Sequence, residues 1–342
     1  MKLALDAMGG DNAPQINIDG AKLALQQVKG LDKLYMVGDE TTLKKLCEEA
    51  GIAADPRLEI VHAAEVVGMD ESGLLAVRKK RNSSMSIAVD LVKNGTCDAV
   101  LSAGNTGAAV AASTIKLRLL PGVERAGIIS PIPNPTSYTL VSDTGANPDA
   151  TPSQQVGYAV MASIVAKYLY DHENPRVAVM SNGTEDCKGC ETSLATYALL
   201  HSLAEKGALP FEFVGNGEGH DLMEGKINVF VTDGFTGNIL LKCVEATAKT
   251  VAGMLKTSIK KSVVAMFGAL FMKGVFAQLK NRMNADAVGG SPLMGVNGVS
   301  IIAHGSANGT AILNAIRMAE GMCRHNVNDR IVAAMEKVNA NM

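Results

Sequence analysis

Short apolar runs that end in a polar glycine loop and are followed by a helical stretch recur along this chain, and nothing else in it constrains the fold as much. Residues 3–6 run into Met8-Gly9-Gly10-Asp11, 34–37 into Gly38-Asp39, and 99–101 into Ser102-Ala103-Gly104-Asn105-Thr106-Gly107. Farther along, 177–180 run into Ser181-Asn182-Gly183-Thr184-Glu185, and 211–214 into Gly215-Asn216-Gly217. Residues 229–232 run into Asp233-Gly234-Phe235-Thr236-Gly237-Asn238, and 300–303 into His304-Gly305-Ser306-Ala307-Asn308-Gly309. Residues 58–61, 128–130 and 139–141 read as further strands. Pro14 suits the first turn of a helix through Lys29, and Thr151-Pro152-Ser153-Gln154 has the composition of a capping box opening a long helix. Strand, glycine loop and helix, repeated at least six times, predict a mostly parallel sheet with helices on both faces, a three-layer αβα sandwich. Ligands on such sheets bind beyond the carboxyl ends of the strands, where these loops lie. Pro131-Ile132-Pro133-Asn134-Pro135 is the nearest thing to a domain boundary and equally suits a long loop. A single domain over residues 1–342 is expected, with a helical excursion at about 256–283.

Composition narrows the function. The 342 residues are 47% hydrophobic and 19% charged, which is globular, and the net charge of −2 lacks the basic excess of a general nucleic-acid binder. Six scattered cysteines suggest reduced thiols of a cytosolic protein rather than a disulfide framework. Asp6 interrupts the first apolar run before a signal-peptide core could form, and no stretch offers about 20 uninterrupted apolar residues for a spanning helix.

Phosphate groups seek backbone N–H groups at a helix N-terminus with little side-chain bulk nearby. The loops at 102–107, 182–185, 233–238 and 304–309 each have that composition. Any one of them alone equally suits an ordinary capped strand-to-helix turn. No P-loop motif, nucleophile elbow or His-Glu zinc motif occurs. Gly215-Asn216-Gly217-Glu218-Gly219 only half resembles a dinucleotide fingerprint. Cys187-Lys188-Gly189-Cys190 lacks a second ligand pair for zinc, so it reads as two cysteines on a loop. His304, on a glycine loop, stands out among the six histidines.

Two further stretches bear on partners. Arg78-Lys79-Lys80-Arg81 suits a solvated face or a docking site for an acidic carrier protein. Lys260-Lys261 opens an apolar stretch over 262–279, interrupted by Lys273 and followed by Lys280 and Arg282. Gly268 and Gly274 predict short helices with breaks there. A dimer or core contact is one reading, and a membrane-surface or acyl-chain-binding element the other.

The glycine loops also form a pattern. Leu5-Asp6-Ala7-Met8-Gly9-Gly10-Asp11-x-Ala13-Pro14 resembles the opening of the PlsX family, acyl-(acyl carrier protein):phosphate acyltransferases. The resemblance continues through Arg78-Lys79-Lys80-x-x-Ser83-Ser84-Met85, Ser102 to Ala108, and Gly145-Ala146-Asn147. It covers nearly the whole chain, through Asn182 to Glu185 with Lys188-Gly189, Val231 to Asn238 with Lys242, Gly289-Gly290, and His304-Gly305-Ser306. Asn12, Ser72 and Ser142-Asp143-Thr144 depart from the family pattern, and Cys187 and Cys190 occupy variable places. The resemblance implies a fold similar to the isopropylmalate-dehydrogenase-like and phosphotransacetylase group. It implies transfer of a fatty acyl group from acyl carrier protein to inorganic phosphate, with acyl phosphate passed to a membrane glycerol-3-phosphate acyltransferase for phospholipid synthesis. It further implies a cytosolic homodimer with peripheral membrane contact, for which 260–282 is the natural candidate.

Phosphate dianion is itself a usable nucleophile, so the expected mechanism is direct attack on the thioester, without covalent intermediate, metal or cofactor. In this scheme Asn105, Thr106, Gly107, Asn182, Gly183 and Thr184 bind phosphate, with Lys188 and Lys242 supplying charge. Asp233, Gly234, Thr236, Gly237 and Asn238 line the thioester side, and His304 and Ser306 hydrogen-bond the reacting oxygens or the leaving sulfur. Asp6 and Asp11 orient these donors or cap helices. Arg78, Lys79, Lys80 and Arg81 receive the carrier protein. Rival expectations are a phosphotransacetylase using acyl-coenzyme A, an NAD(P)-dependent decarboxylating dehydrogenase, and a lipid-responsive binding protein.

Overall fold

The computed structural model describes residues 1–283 and 288–342, with the side chains of 280–283 excepted; Lys280 and Arg282 therefore lie outside the described side chains. The chain opens with β1 (Lys2–Asp6), α1 (Gln15–Gln27), β2 (Lys33–Gly38), α2 (Glu40–Ala50), β3 (Leu58–His62), α3 (Gly73–Lys79) and α4 (Ser84–Lys93). There follow β4 (Ala99–Ser102), α5 (Thr106–Leu117), β5 (Gly127–Pro133), β6 (Tyr138–Ser142) and α6 (Pro152–Leu169). Next come β7 (Arg176–Met180), α7 (Glu191–Glu205), β8 (Glu212–Gly217), α8 (Asp221–Glu224) and β9 (Val229–Val231). A helical stretch of α9 (Gly234–Lys260), α10 (Val263–Phe271) and α11 (Lys273–Met283) precedes β10 (Ser291–Met294), β11 (Val299–Ile302), α12 (Gly309–Arg324) and α13 (Val327–Asn339).

The strands form one mixed sheet, ordered β3-β2-β1-β4-β11-β10-β5-β6-β9-β7-β8. Side chains alternate across it as a pleated strand requires. Leu3 and Leu5 of β1 join the large core under α1, α6 and α12, while Ala4 faces the second core under α3, α4 and α5. Val229 and Val231 of β9 likewise face the large core, and Phe230 between them faces a third cluster with Leu240, Leu241 and Val244 of α9. Helices thus cover both faces, as the alternation predicts.

The sheet has a reversal at its centre. β3, β2, β1, β4 and β11 are mutually parallel, as are β6, β9, β7 and β8. Between the blocks, β10 is antiparallel to β11 and to β5, and β5 is antiparallel to β6. Three reversals leave the two blocks running in opposite directions. The registers also stagger them. Ser291 pairs with Ile302, Leu293 with Ile128, and Ile129 with Ser142. The last residue of β6 therefore lies about level with Ile301, one residue from the end of β11. The carboxyl ends of both blocks meet at the middle of the sheet.

Two expectations change. The proline stretch at 131–135 is no boundary: Pro131 and Pro133 pair within the β5–β6 hairpin. Asn134 makes its turn, with Oδ1 accepting from the amides of Thr136 at 3.0 Å and Ser137 at 2.6 Å. The breaks in the helical excursion fall at Lys261-Ser262 and at Met272, not at Gly268 and Gly274, which lie inside α10 and α11. A Ser262 cap restarts the chain as α10, its hydroxyl accepting from the Ala265 amide. No residue of α10 is buried, and Val264 and Phe271 are 82% and 88% exposed, so this arm is not a core contact. No helix among the described residues is long and apolar enough to cross a membrane.

α1 and α12 pack where Gly20 faces Ile312, and a Cβ at position 20 would collide with the Ile312 side chain. Gly20→Ala is expected to lower stability by about 1–3 kcal/mol, since overpacking forces helices apart. Thermal unfolding of Gly20→Ala, Ile312→Ala and the double variant checks this: the double variant should lose less than the sum of the singles.

Candidate active site

On the first block, the loops after β1, β4 and β11 are tied together. Ser102 Oγ donates to Asp6 Oδ2 at 2.7 Å and accepts from the Gly104 amide at 3.0 Å. A side chain at Gly9 would have its Cβ 2.6 Å from Asp6 Oδ2 and 2.8 Å from the Gly104 nitrogen, so only glycine lets these loops meet. Asp6 is buried; burial pushes its carboxyl pKa up, against the Ser84 and Ser102 hydroxyls and the Met8 and Gly9 amides. The Asp11 amide donates to the Gly305 carbonyl at 2.8 Å, which joins the first loop to the His304 loop. Asp6 and Asp11 thus act as loop fasteners.

Asn105 does not offer its side chain to a ligand. Its Oδ1 caps α5 by accepting from the Ala108 amide at 3.0 Å. Its Nδ2 donates to the carbonyls of Gly68, Met69 and Glu71 at 3.2, 3.1 and 2.8 Å. The anion-binding capacity of this loop rests instead on the N-terminal amides of α5 at Thr106 and Gly107, which a helix leaves without intrahelical partners.

On the second block, Asp143 is the organising residue. Its Oδ1 accepts from the amides of Ile128, Gly145 and Ala146 at 2.9, 3.1 and 3.1 Å, and its Oδ2 from that of Asn147 at 2.6 Å. The side chain is fully buried; burial pushes its pKa up while these four amides oppose the shift. The α9 N-terminus packs on this turn. A Cβ at Gly237 would collide with the Asp143 carbonyl oxygen, and one at Gly234 would lie 2.6 Å from Oδ2. Gly234 and Gly237 are thus buried packing glycines, and neither lines the hollows described below. Asp233 caps α9, accepting from the Thr236 amide at 2.7 Å and the Thr236 hydroxyl at 2.9 Å.

The opposed loops enclose a cavity of about 410 Å³. Thr106, Gly107 and His304 line it from the first block, and Thr144, Asn238 and Lys242 from the second. Ser130 and Ser291, on the two central strands, complete the wall. The Ser130 hydroxyl lies 2.7 Å from that of Thr144 and 2.9 Å from that of Ser291. His304 Nδ1 accepts from the Ser306 amide at 3.2 Å and pairs with the Ser306 hydroxyl at 2.8 Å. Because the amide only donates, Nδ1 carries the lone pair and the neutral ring holds its proton on Nε2. Ser306 itself does not line the cavity; it orients the imidazole. The wall therefore presents helix amides, the hydroxyls of Thr106, Ser130, Thr144 and Ser291, an imidazole N–H and the Lys242 ammonium, against one carboxylate, Glu245. Such a donor set suits an anion and a developing oxyanion.

The remaining predicted residues divide. A second hollow, also about 410 Å³, holds Asn182, Asp233 and Thr236 with Ser181, Cys190 and Ser193. The first turns of α9 lie between the two, with Thr236 on one hollow and Asn238 on the other. The expected phosphate set is thus split, Thr106 and Gly107 in one place and Asn182 in another. Gly183 is buried, and a Cβ there would lie 2.7 Å from Lys188 Cγ. Thr184 and Lys188 are exposed and line neither hollow. In the basic run, Arg78, Lys79 and Arg81 are exposed, but Lys80 is committed to the fold, its Nζ 2.5 Å from Glu71 and 2.8 Å from the Val66 carbonyl. Among the described residues no cluster of three or more His, Cys, Asp or Glu could hold a metal.

Asp143, Ser130, Thr144 and Ser291 escape a sequence reading for roles. The available signal is the polar Ser142-Asp143-Thr144 run at the end of a buried strand.

Cys190 also differs from the ordinary loop cysteine expected. It is the N-cap of α7, and the Ser193 amide and hydroxyl pull its pKa down. Burial pushes Cys97 and Cys323 up to about 12. A lowered pKa means more thiolate near neutrality. Brief iodoacetamide treatment at pH 7 should therefore modify Cys190 ahead of the exposed Cys187 and Cys243, and leave Cys97 and Cys323 unmodified; peptide mass mapping reads the order.

Comparison with known proteins accords with this layout. A family described as fatty acid synthesis protein matches residues 1–330. The phosphate acyltransferase of Akkermansia muciniphila is 59% identical over 338 residues, 99% of this chain and 97% of that one. That of Geobacter sulfurreducens is 40% identical over 337 residues, 98% and 94% of the two chains. Among solved structures, a phosphotransacetylase from Streptococcus pyogenes superposes with a TM-score of 0.63 at 18% identity, covering 95% of this chain and 94% of that one. A 4-hydroxythreonine-4-phosphate dehydrogenase-like protein from Salmonella typhimurium, described as putative, gives 0.52 at 14% identity, covering 94% and 99%. These distant likenesses establish the shared α/β fold, and the close ones establish descent: the chain belongs to the phosphate acyltransferase family.

Proposed function

We propose that the protein transfers a fatty acyl group from acyl carrier protein to inorganic phosphate, in the cavity where the two opposed blocks meet. The observation that carries this reading is the donor-rich wall of that cavity in a chain of this family. Phosphate sits against the Thr106 and Gly107 amides and the hydroxyls of Ser130, Thr144 and Ser291, with Lys242 balancing charge. A phosphate oxygen attacks the thioester carbonyl. The carbon–oxygen bond forms, the tetrahedral oxyanion collapses, and the carbon–sulfur bond breaks. The carrier sulfur leaves as thiolate, its developing charge met by the His304 Nε2–H donor, and takes the proton that the hydrogenphosphate nucleophile gives up. Holding nucleophile and carbonyl within about 3–3.5 Å supplies much of the acceleration.

The second hollow, with Asn182 near the α7 N-terminus, is the place for the polar arm that carries the thioester. Lys188, on the outer loop, attracts the incoming anions. Acyl phosphate released here supplies a membrane glycerol-3-phosphate acyltransferase. The exposed apolar arm of α9 to α11 suits contact with a second copy or with the membrane surface, and the chain works as a cytoplasmic, peripherally associated homodimer in one domain.

The Ser306–His304 pair favours a second reading, an acyl-serine intermediate. Ser306 lies off the cavity and shares Nδ1 with its own amide, which supports direct attack instead.

The experiment incubates the protein with palmitoyl-carrier protein and radiolabelled phosphate. Acyl phosphate should form, with weaker turnover of acetyl-coenzyme A. His304→Ala should lower kcat about 10²-fold, the low end for loss of one donor to charge that develops in the transition state. Ser306→Ala should lower turnover far less than loss of His304 does, because the residue 306 amide still holds Nδ1, and palmitoyl label should not accumulate on the protein without phosphate. Absence of acyl phosphate from either thioester would overturn the reading.

A further inference from the structure

α3 turns an unusual face outward. Ala76 and Val77 are buried, and Gly73 lies against the backbone of Gly107 so closely that a Cβ there would collide with it. The positions left for solvent are Leu74 and Leu75, 45% and 53% exposed, and, one turn on, Arg78 and Lys79. Spacings of four place Leu74 beside Arg78 and Leu75 beside Lys79 on one helix face. Arg81 is exposed just beyond the helix end. Of the carboxylates around α3, Glu71 is already paired with Lys80, Glu65 accepts from the Asn82 amide just past the basic end, and exposed Asp70 lies beyond the opposite end of the helix. The face is thus an apolar centre with a basic end, on which Arg78, Lys79 and Arg81 outnumber the one neighbouring carboxylate left, Glu65.

This face is also wired to the cavity. The loop before α3 is held by the three Asn105 hydrogen bonds at the start of α5, whose next two residues line the cavity. On its other side, Met69 reaches the His304 loop: a Cβ on Gly305 would lie 2.7 Å from Met69 Cε.

We infer that the outer face of α3 is the docking seat for the carrier protein, with Leu74 and Leu75 as its apolar centre and Arg78, Lys79 and Arg81 as its cationic rim. This rests on the acyl-carrier reading above and adds the hydrophobic half of the contact. The occupant presents an acidic amphipathic helix. Its carboxylates meet the basic turn, its apolar stripe covers the leucines, and its thioester arm enters beside the loop that Asn105 holds. Charge steers the encounter, and apolar burial holds it.

The test compares two donors on the same enzyme: palmitoyl-carrier protein and palmitoyl-pantetheine, which lacks the protein. Leu75→Asp and the milder Leu75→Gln remove or weaken the apolar centre, and Arg78→Glu reverses the rim. Each should lower the ratio of kcat/KM for the carrier thioester over that for the pantetheine thioester, by about tenfold or more for Leu75→Asp and Arg78→Glu. The carrier rate of the unsubstituted enzyme should also fall with added salt more steeply than the pantetheine rate. Unchanged unfolding temperatures confirm that the variants fold. An unchanged ratio in folded variants overturns the docking seat, and so does loss of binding to anionic vesicles with the ratio intact, which would assign the face to a membrane. Failure of the unsubstituted enzyme on both thioesters would instead sink the acyl-transfer reading.

Discussion

Removing a carboxylate from water costs several kcal/mol even after the protein relaxes, so a fully buried aspartate demands compensation. Asp143 has it in four backbone N–H donors, each a charge-assisted bond of about 1.5–3 kcal/mol. Those donors come from separate places. Ile128 is the second residue of β5, while Gly145, Ala146 and Asn147 follow β6 in the turn to α6. One side chain therefore fixes the start of one central strand to the end of the next. The same turn is the seat for α9, because Gly234 and Gly237 bring that helix against it and the Gly234 amide donates to the Asn147 carbonyl at 2.9 Å. The position of α9 decides where Thr236, Asn238 and Lys242 stand. Both hollows thus depend on a residue that touches no substrate in the proposed reaction.

The reversal at the sheet centre explains why a crevice exists. A uniformly parallel sheet would place all its carboxyl ends along one edge, with loops side by side rather than face to face. Here β10 and β5 invert one block and their registers slide it, so loops from both blocks converge. The first block contributes helix amides and an imidazole. The second contributes a hydroxyl and the α9 side chains, and the central strands add two serines. A nucleophilic anion and an electrophilic carbonyl can then be held from opposite sides, which a single row of loops does poorly.

Much of this was legible in the sequence because it is local. The glycine loops, the capping box at Thr151 and the layered architecture follow from short-range pattern. The reversal is not local. β10 is four residues long, contains Pro292 and follows two glycines, so its composition is that of a turn, and only the pairing with β11 and β5 makes it a strand. The same distinction explains the site. Asn105 has the composition of a phosphate ligand, yet its amide is taken by carbonyls 34 to 37 residues away. Gly234 and Gly237 have the composition of a binding loop, yet what needs them small is Asp143, some 90 residues earlier in the chain. Lys80 reads as one of four equal cations until Glu71 claims it. A pattern reports which residue types a loop contains; which of them remain free for a ligand is settled by distant parts of the chain.

The apolar arm follows from the same helix that builds the site. α9 is continuous from its Asp233 cap to Lys260, and only its first turns are packed into the molecule. Beyond Val244 it carries Val251 and Met254 into solvent, and α10 adds Val264, Phe267 and Phe271. Exposed apolar surface on this scale is unfavourable for an isolated chain and is the mark of a surface built to be covered. The helix that carries it lines the cavity at its other end, through Asn238 and Lys242. A 27-residue helix is about 40 Å long, so the exposed arm stands well away from the cavity. The Asp233 cap and the close approach of Gly234 and Gly237 to the Asp143 turn fix the cavity end of this helix, so the placement of Asn238 and Lys242 rests on the Asp143 turn and not on the exposed arm.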